Sequence, residues 1–237
     1  MKKRLVCSLV TLFLLLFSGS AHADLKTIGT AQFGETGDHY NLIWDDVNNG
    51  NSVVWLDYTN APTNWTAQNA WAAGLDSALT LYLNAGVSVN WDGSWRLPST
   101  VDGLYSWGYD GTTTGGYNIT SSEMGHLFYT ELGNKGYVAT DGTYPQPEWG
   151  LSNTGDFEYI VASWYWSDTE YALDPDNAWT FGRDGGHQDF CVKSSNGYGV
   201  AVRTGDVSVV PVPGALLLLG SGLVGLAGFS RRKGSRC

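Results

Sequence analysis

The stretch His39–Tyr58, with the sequence HYNLIWDDVNNGNSVVWLDY, decides the fold. Two runs rich in apolar and aromatic residues, His39–Asp46 and Ser52–Tyr58, flank the polar segment VNNGN. An Asn-Gly pair between two such runs is the strongest short-range sign of a β-hairpin. The stretch therefore predicts two antiparallel strands, and with them a domain built on a β-sheet.

Downstream of the hairpin, apolar residues recur at helical spacing. Trp71, Leu75 and Tyr82 would lie on one face of a helix that runs from Thr66 to about Leu83. The segment Asn84-Ala85-Gly86 follows, and a glycine in this position commonly ends a helix. The pattern therefore predicts one helix directly after the hairpin.

A second helix is predicted from Glu123 to Leu132. Thr120 and Glu123 have the spacing of a capping box, in which two side chains satisfy backbone N–H groups at the helix start. Gly133 would end the helix. Its apolar face comprises Met124, Leu127, Phe128 and Leu132.

Later stretches of the domain are typical of short strands. They are FEYIVASWYWS (157–167), AWTFG (178–182), QDFCVKS (188–194) and YGVAVRT (198–204). Together with the hairpin and the two helices they predict the class α+β. We expect two helices packed against a twisted antiparallel sheet, with long loops on one side.

The first residues have the pattern of a secretory signal peptide. A basic run at residues 2–4 precedes the apolar stretch Leu5–Phe17. Ala21 and Ala23 then form the small-x-small pattern of a cleavage site. The sequence therefore predicts a signal peptide over residues 1–23 and export of the domain that follows.

The predicted exported domain, residues 24–206, is strongly acidic. It holds all 23 Asp and Glu residues but only six of the 13 Lys and Arg residues, which gives it a net charge of −17. Such a surface repels nucleic acid, sulfated glycans and anionic membranes. We therefore exclude nucleic acid as a partner and expect neutral ligands or cations. The domain has a single cysteine, Cys191, so no disulfide can form within it.

The C-terminal segment, residues 207–237, predicts a membrane anchor. Residues from about 212 to 230 are apolar, rich in glycine and free of charge. This composition indicates one transmembrane helix, slightly short for the bilayer core. The basic tail, residues 231–237, would stay in the cytoplasm by the positive-inside rule, which leaves the domain outside.

The order of features in this segment resembles the PEP-CTERM sorting signal of Gram-negative bacteria. That signal joins a V-P-x-P element, an apolar helix and a basic cluster. The first element is here Val210, Pro211, Val212 and Pro213, and the last is Arg231, Arg232 and Lys233. Val212 stands where the signal usually has Glu. The resemblance implies that an exosortase, a membrane-embedded protease, cuts near the prolines. The domain would then reach the cell surface or the exopolysaccharide matrix.

Short motifs within residues 39–204 resemble the family of the C-terminal domain of a bacterial collagen-like adhesin (Lcl C-terminal type). They are WRLPS at Trp95–Ser99, YWSDTEY at Tyr165–Tyr171, AWTFG at Ala178–Gly182 and YGVAVR at Tyr198–Arg203. The resemblance implies a C-type-lectin-like fold. Asp102-Gly103 replaces the Glu-Leu that usually follows the first motif. A charge of −17 argues against the acidic-polysaccharide binding of that adhesin.

Arg96, Glu123, Glu170 and Arg203 lie in or beside the expected structural elements. Because an arginine in apolar surroundings needs a bidentate carboxylate, we expect internal ion pairs that tie sheet ends to a helix. The alternative is that one of the carboxylates faces a ligand. A carboxylate pair of the glycosidase kind is a further alternative, but among 23 acids no spacing singles one out.

Asp174, Asp176 and Asp184 are weak candidates for a calcium site, since loop carboxylates are calcium ligands. Their spacing misses that of a calcium loop, and such residues more often form turns. The histidines at 39, 126 and 187 also lack metal-ligand spacing. We therefore expect no cofactor, with calcium as the alternative.

The aromatic residues are the remaining sign of function, because all 11 Trp and 13 Tyr lie in the exported domain. We expect most of them to pack the core. The alternative is that exposed rings, with Tyr109 among them, stack on neutral sugars; the candidates are Trp107, Trp149, Trp164 and Trp166.

These observations predict a non-enzymatic exported protein of the cell surface or exopolysaccharide matrix. The C-terminal signal would direct the protein to that location, and neutral polysaccharide is its candidate ligand. Two alternatives stay open. One is a secreted carbohydrate-active enzyme that uses a carboxylate pair, and the other is a single-pass membrane protein whose tail is never removed.

Overall fold

The computed structural model describes residues 25–209. The signal peptide predicted over residues 1–23, with Ala21 and Ala23, lies outside this range. So do the helix predicted over about 212–230 and the basic tail after it. Within residues 25–209, no helix is both long enough and apolar enough to cross a membrane.

The described part consists of eleven strands and two short helical segments. In chain order the strands are β1 (Lys26–Phe33), β2 (His39–Asn48), β3 (Asn51–Thr63), β4 (Leu79–Leu83), β5 (Val87–Arg96), β6 (Trp107–Gly108), β7 (Gly115–Tyr117), β8 (Trp164–Glu170), β9 (Asn177–Gly182), β10 (His187–Val192) and β11 (Gly197–Val209). Helix α1 (Trp65–Ala78) joins β3 to β4. Helix α2 (Glu123–His126) follows β7 and continues as a π-helical turn over Leu127–Glu131.

The strands form one mixed sheet in the order β4-β1-β2-β3-β11-β8-β9-β10-β7-β6, and β5 pairs with β11 beside this path. β8 runs parallel to β11, and β6 runs parallel to β7. The prediction of an antiparallel sheet is wrong at these two pairs, because the chain returns from β10 to the far side of β8 before β11 begins. The protein is mostly β, with two short helices on a large mixed sheet.

The hairpin predicted at the start of the domain is confirmed. β2 pairs antiparallel with β3, and Asn48 lies opposite Asn51 across a two-residue turn. Asn49 (φ 51°) and Gly50 (φ 85°) both take the left-handed conformation that this turn requires. β3 runs five residues further than predicted, to Thr63.

Helix α1 ends five residues before the predicted Leu83, at Ala78. Its start is capped by the Asn64 side chain, which accepts a hydrogen bond from the N–H of Ala67 at 2.9 Å. From Leu79 the chain forms β4, which pairs with β1. The reason is that Leu79, Leu81 and Leu83 alternate with more exposed residues, a pattern that suits an edge strand better than a helix.

The second helix begins at Glu123 as predicted, but the predicted capping box is wrong. Ser122, not Thr120, caps the helix, and its Oγ accepts a hydrogen bond from the N–H of Gly125 at 3.1 Å. Glu123 is therefore the first helical residue, and its carboxylate is available for a contact with β5. Residues 157–163, predicted as part of a strand, precede β8 and lie outside it.

The sheet is covered on both faces, which explains why its central strands lack a simple alternation of apolar and polar residues. Val54 and Leu56 of β3 pack with α1, whereas Val53 and Trp55 pack on the opposite face with α2 and the π-helical turn. Successive side chains of a strand point to opposite faces. When both faces are buried, nearly every position in the strand is apolar.

Candidate functional site

A partly buried ion pair joins the end of β5 to the start of α2. Arg96 Nη1 donates to Glu123 Oε2 and Nη2 donates to Oε1, each at 2.7 Å. The backbone N–H of Ser99 also donates to Glu123 Oε2, at 2.6 Å. Because both carboxylate oxygens accept hydrogen bonds and Glu123 is only 5% exposed, this carboxylate does not face a ligand.

The pair has a measurable electrostatic consequence. Burial alone would lower the pKa of Arg96, but the hydrogen bonds and the charge of Glu123 raise it above its ordinary value. Asp168, whose Oδ2 lies 3.9 Å from Arg96 Nη1, has its pKa raised, chiefly by burial. The junction therefore carries one firmly held arginine charge between two carboxyl groups.

The other two predicted ion-pair residues lie elsewhere and have other partners. Lys193 donates to the carboxylate of Glu170, between the loop after β10 and the end of β8. Arg203 Nη1 lies 2.9 Å from Asp76 Oδ1 of α1, and its guanidinium lies 4.8 Å from the ring centre of Trp91. The four predicted residues thus take part in three separate ion pairs. Only Arg96 and Glu123 pair with each other, whereas Glu170 and Arg203 pair with residues outside the predicted set.

Two of the four candidate tryptophans serve packing. Trp166 is fully buried in the core on the α1 side, where its Nε1 donates to the carbonyl oxygen of Thr63 at 3.1 Å. The proposal that Trp166 stacks on sugar is therefore wrong, because both faces of the sheet are covered at this strand. Trp164 is partly buried and packs edge-on against Trp166, with ring centres 5.2 Å apart.

Trp107 and Trp149 are exposed, at 49% and 45%. Each belongs to a small group of rings, Trp107 with Tyr117, and Trp149 with Tyr137 and Tyr144. We call these five rings together the aromatic surface. The ring centres of Trp107 and Tyr117 are 5.8 Å apart, and those of Tyr137 and Trp149 are 4.9 Å apart. Tyr144 is 69% exposed, and its ring centre lies 6.0 Å from that of Tyr137.

Backbone hydrogen bonds fix the two sides of the aromatic surface to each other. Trp107 and Tyr117 lie on the paired strands β6 and β7. The long loop that carries Tyr137 is pinned to the β9–β10 turn, because the N–H of Tyr137 donates to the carbonyl oxygen of Gly185 at 2.8 Å. The N–H of Gly150 donates to the carbonyl oxygen of Lys135 at 2.8 Å. The rings therefore sit on a fixed support despite the irregular backbone.

Polar groups border the aromatic surface. The imidazole of His187 lies 5.7 Å from the Tyr117 ring and 6.3 Å from the Trp107 ring, measured between ring centres. The pKa of Tyr117 is raised by burial first, and then by Tyr137 and the charge of Asp184. Flat rings bordered by hydrogen-bonding groups can hold a sugar by its apolar face and its hydroxyls.

The candidate calcium ligands do not converge. Asp174 accepts hydrogen bonds from the N–H of Asp176 at 3.3 Å and from Asn177 Nδ2 at 2.7 Å, so it stabilises a turn before β9. Asp184 lies beyond the other end of β9, where it accepts a hydrogen bond from the N–H of Gly185 at 3.0 Å. The structure thus separates Asp184 from the other two candidates by the length of a strand.

A different group of side chains has metal-ligand geometry. Ligand atoms of Asp45, His126 and Glu131 all lie within 4.8 Å of one another, and this is the one such group found within residues 25–209. Sequence spacing does not reveal this group, because Asp45 is far from the other two residues along the chain. A spacing of five between His126 and Glu131 also fits no face of a regular α-helix.

Comparison with known proteins assigns the C-terminal segment. Residues 209–233 match the family model described as the PEP-CTERM protein-sorting motif, which confirms that resemblance. No curated protein and no solved structure matches the chain, and no match supports the lectin-like family. The motif implies processing by an exosortase, and proteins that carry it are exported and sorted to the cell surface. The chain is therefore a PEP-CTERM-sorted exported protein.

Proposed function

We propose that this chain is a non-enzymatic protein of the cell surface or exopolysaccharide matrix, and that it binds neutral polysaccharide through the aromatic surface. The sorting motif at residues 209–233 supports the location. The observation that carries the ligand class is the exposure of Trp107 and Trp149. The same domain fully buries four other tryptophan side chains, so two exposed tryptophans, each within a small group of rings, favour a binding role.

The charge of the domain favours a neutral polysaccharide over an acidic one. Of its six Lys and Arg side chains, four are in ion pairs and Arg183 is buried. An acidic polymer would therefore meet few available cations and a net charge of −17. A neutral sugar chain needs no charge partner, because stacking and hydrogen bonds supply the contact.

Affinity electrophoresis tests the ligand class. The full-length chain, purified in mild detergent, is run through gels that contain either the neutral polysaccharide fraction of the producing bacterium or an acidic polyuronate. We expect retardation by the neutral fraction and none by the polyuronate. Equal migration in all gels would contradict the proposal, as would retardation by the polyuronate alone.

The site is tested with matched aromatic variants. Trp107→Ala and Trp149→Ala should be retarded much less than the wild type, whereas Tyr82→Ala should be retarded like the wild type. Tyr82 is a suitable control because it is 47% exposed and lies on β4, at the opposite end of the sheet path from β6. Retardation that all three variants share would place the binding elsewhere.

The absence of catalysis is tested with the same neutral fraction. After prolonged incubation with the wild-type chain, we expect no increase in reducing ends. A reproducible increase that disappears when one acid is changed to its amide would favour the alternative of a carbohydrate-active enzyme.

We further infer that the exosortase accepts this tail despite Val212 and cuts near Pro211 and Pro213. Proline lacks the backbone N–H that helices and sheets use, and two prolines within residues 210–213 therefore suit a cleavage site. The test is the intact mass of the cell-surface form. A mass that lacks the apolar segment and the basic tail supports the inference, whereas a form that keeps both would favour a permanently anchored protein.

A further inference from the structure

The group formed by Asp45, His126 and Glu131 draws on two parts of the fold. Asp45 lies on β2, His126 ends α2, and Glu131 ends the π-helical turn. His126 Nε2 and Glu131 Oε1 are 2.9 Å apart, and the ligand atoms of all three residues lie within 4.8 Å of one another. The group therefore lies where the helix covers the sheet.

The π-helical turn creates the approach of His126 to Glu131. In an α-helix, side chains share a face with those three and four positions away, so residues five apart diverge. Here the N–H of Leu132 donates to the carbonyl oxygen of Leu127 at 2.9 Å, a contact between residues five apart. Such turns occur frequently at functional sites, and this one places an imidazole and a carboxylate on one side.

Burial of the carboxylates calls for a cation. Asp45 is fully buried, and the Glu131 side chain has no exposed surface. Asp45 Oδ2 accepts hydrogen bonds from Asn48 Nδ2 at 2.8 Å and from Trp55 Nε1 at 3.3 Å. Asp45 Oδ1 is buried and has no hydrogen-bond partner within residues 25–209. A buried carboxylate oxygen without a partner is costly unless a proton or a cation binds it.

The charges around Asp45 also suit a metal ion. No lysine or arginine within residues 25–209 forms an ion pair with Asp45. An ion from solution could therefore supply the counter-charge to Asp45.

We propose that Asp45, His126 and Glu131 bind a divalent transition-metal ion, with Zn²⁺ as the best match. Zn²⁺ takes imidazole nitrogen and carboxylate oxygen together, in sets of three protein ligands plus one further position. Ca²⁺ and Mg²⁺ prefer oxygen ligands alone and fit this set less well. The ion replaces the hydrogen bond between His126 and Glu131 and ties β2 to the helix, in a domain without a disulfide.

Zinc addition to the wild-type chain is the first test. The untagged full-length chain is stripped with a chelator, checked for folding by circular dichroism, and titrated with ZnCl₂, MgCl₂ or CaCl₂. We expect one bound zinc per chain by elemental analysis. At zinc concentrations about 100-fold above the dissociation constant, the melting temperature should rise by roughly 5–10 °C. No bound zinc, or an equal rise with Mg²⁺ or Ca²⁺, would overturn the proposal.

Variants then locate the ion. His126→Gln and Asp45→Asn should lose the bound zinc, whereas His39→Gln and Cys191→Ser should keep it. Co²⁺ absorption of the wild-type chain gives a readout that needs no variant, because a nitrogen- and oxygen-bound ion in a small site absorbs differently from hydrated Co²⁺. Zinc retained by a folded His126→Gln chain, or lost from Cys191→Ser, would place the ion elsewhere and overturn the assignment.

Discussion

Two groups of tryptophans in this molecule have the same chemistry and opposite surroundings. Trp55, Trp95, Trp166 and Trp179 are fully buried on the sheet, whereas Trp107 and Trp149 are about half exposed beside the loops. The buried rings lie on strands, or at their ends, where the sheet is covered on both faces. The exposed rings lie on a two-residue strand and a loop. The number of tryptophans therefore does not indicate function here. What indicates it is whether a ring lies on a covered strand or at the exposed edge beside the loops.

The largest expected effect comes from the buried group. Trp166→Ala leaves a cavity and removes the hydrogen bond to Thr63, and it should lower the free energy of unfolding by about 3–5 kcal/mol. Urea denaturation of wild type and variant measures the difference. A loss below about 1 kcal/mol would mean that Trp166 is not a core residue and would remove the contrast between the two groups.

The ion pair that joins β5 to α2 should contribute the next largest effect. Glu123→Gln weakens two charged hydrogen bonds and leaves Arg96 with only the more distant Asp168 as a counter-charge, at a cost of about 1–3 kcal/mol. The value stays below that of a fully buried pair because the Arg96 side chain is 31% exposed. Glu148→Gln, in the exposed pair with Lys135, is the matched control and should leave the urea midpoint unchanged. Equal effects of the two variants would contradict a structural role for Arg96 and Glu123.

Loss of an exposed ring should affect binding rather than folding. Trp107→Ala should weaken binding of the neutral polysaccharide about tenfold, which corresponds to about 1.4 kcal/mol. Its urea midpoint should stay close to that of the wild type, because the ring is 49% exposed. Calorimetric titration and urea denaturation of the same sample separate the two effects. A variant that loses stability without losing affinity would assign Trp107 to packing.

The smallest expected effect is a pH dependence at His126. Burial lowers its pKa below 6.5, so the unfolded chain takes up the proton at a higher pH than the folded chain does. This contribution to stability is present above about pH 6.5 and is lost as the pH falls through the lower pKa of the folded state. In metal-free samples, the wild-type urea midpoint should fall from pH 7.5 to 5 more steeply than that of His126→Gln. Parallel curves would show that His126 titrates normally.

Local patterns in the sequence predicted part of the fold. The Asn-Gly turn predicted the β2–β3 hairpin, and the apolar face of the second helix predicted its extent. β1 and β5 were not predicted. β5 alternates apolar Val87, Val89 and Trp91 with polar residues and could have been predicted, whereas Gly29 interrupts the pattern of β1. Gly29 is needed there, since a Cβ atom would lie only 2.3 Å from the carbonyl oxygen of Tyr82 on the neighbouring strand.

The candidate site was harder to predict, because it depends on contacts distant in sequence. The residues around Trp166 and Trp107 are similar in composition. Their roles differ because the sheet is covered on both faces at Trp166 but not at Trp107. Asp45 and His126 belong to different elements, and the π-helical turn that aligns Glu131 has no signature in the sequence. The sequence predicted that Arg96 and Glu123 take part in internal ion pairs, but it did not predict that they pair with each other.

Oxidative footprinting of tryptophan tests the central claim most directly. The full-length chain is treated briefly with N-bromosuccinimide, with and without the neutral polysaccharide fraction, and oxidation at each tryptophan is read by mass spectrometry. We predict that Trp107 and Trp149 oxidise readily in the free chain and are protected by the polysaccharide, whereas Trp166 and Trp179 stay unmodified in both samples. Unchanged oxidation of Trp107 and Trp149 while the polysaccharide is bound would contradict the account.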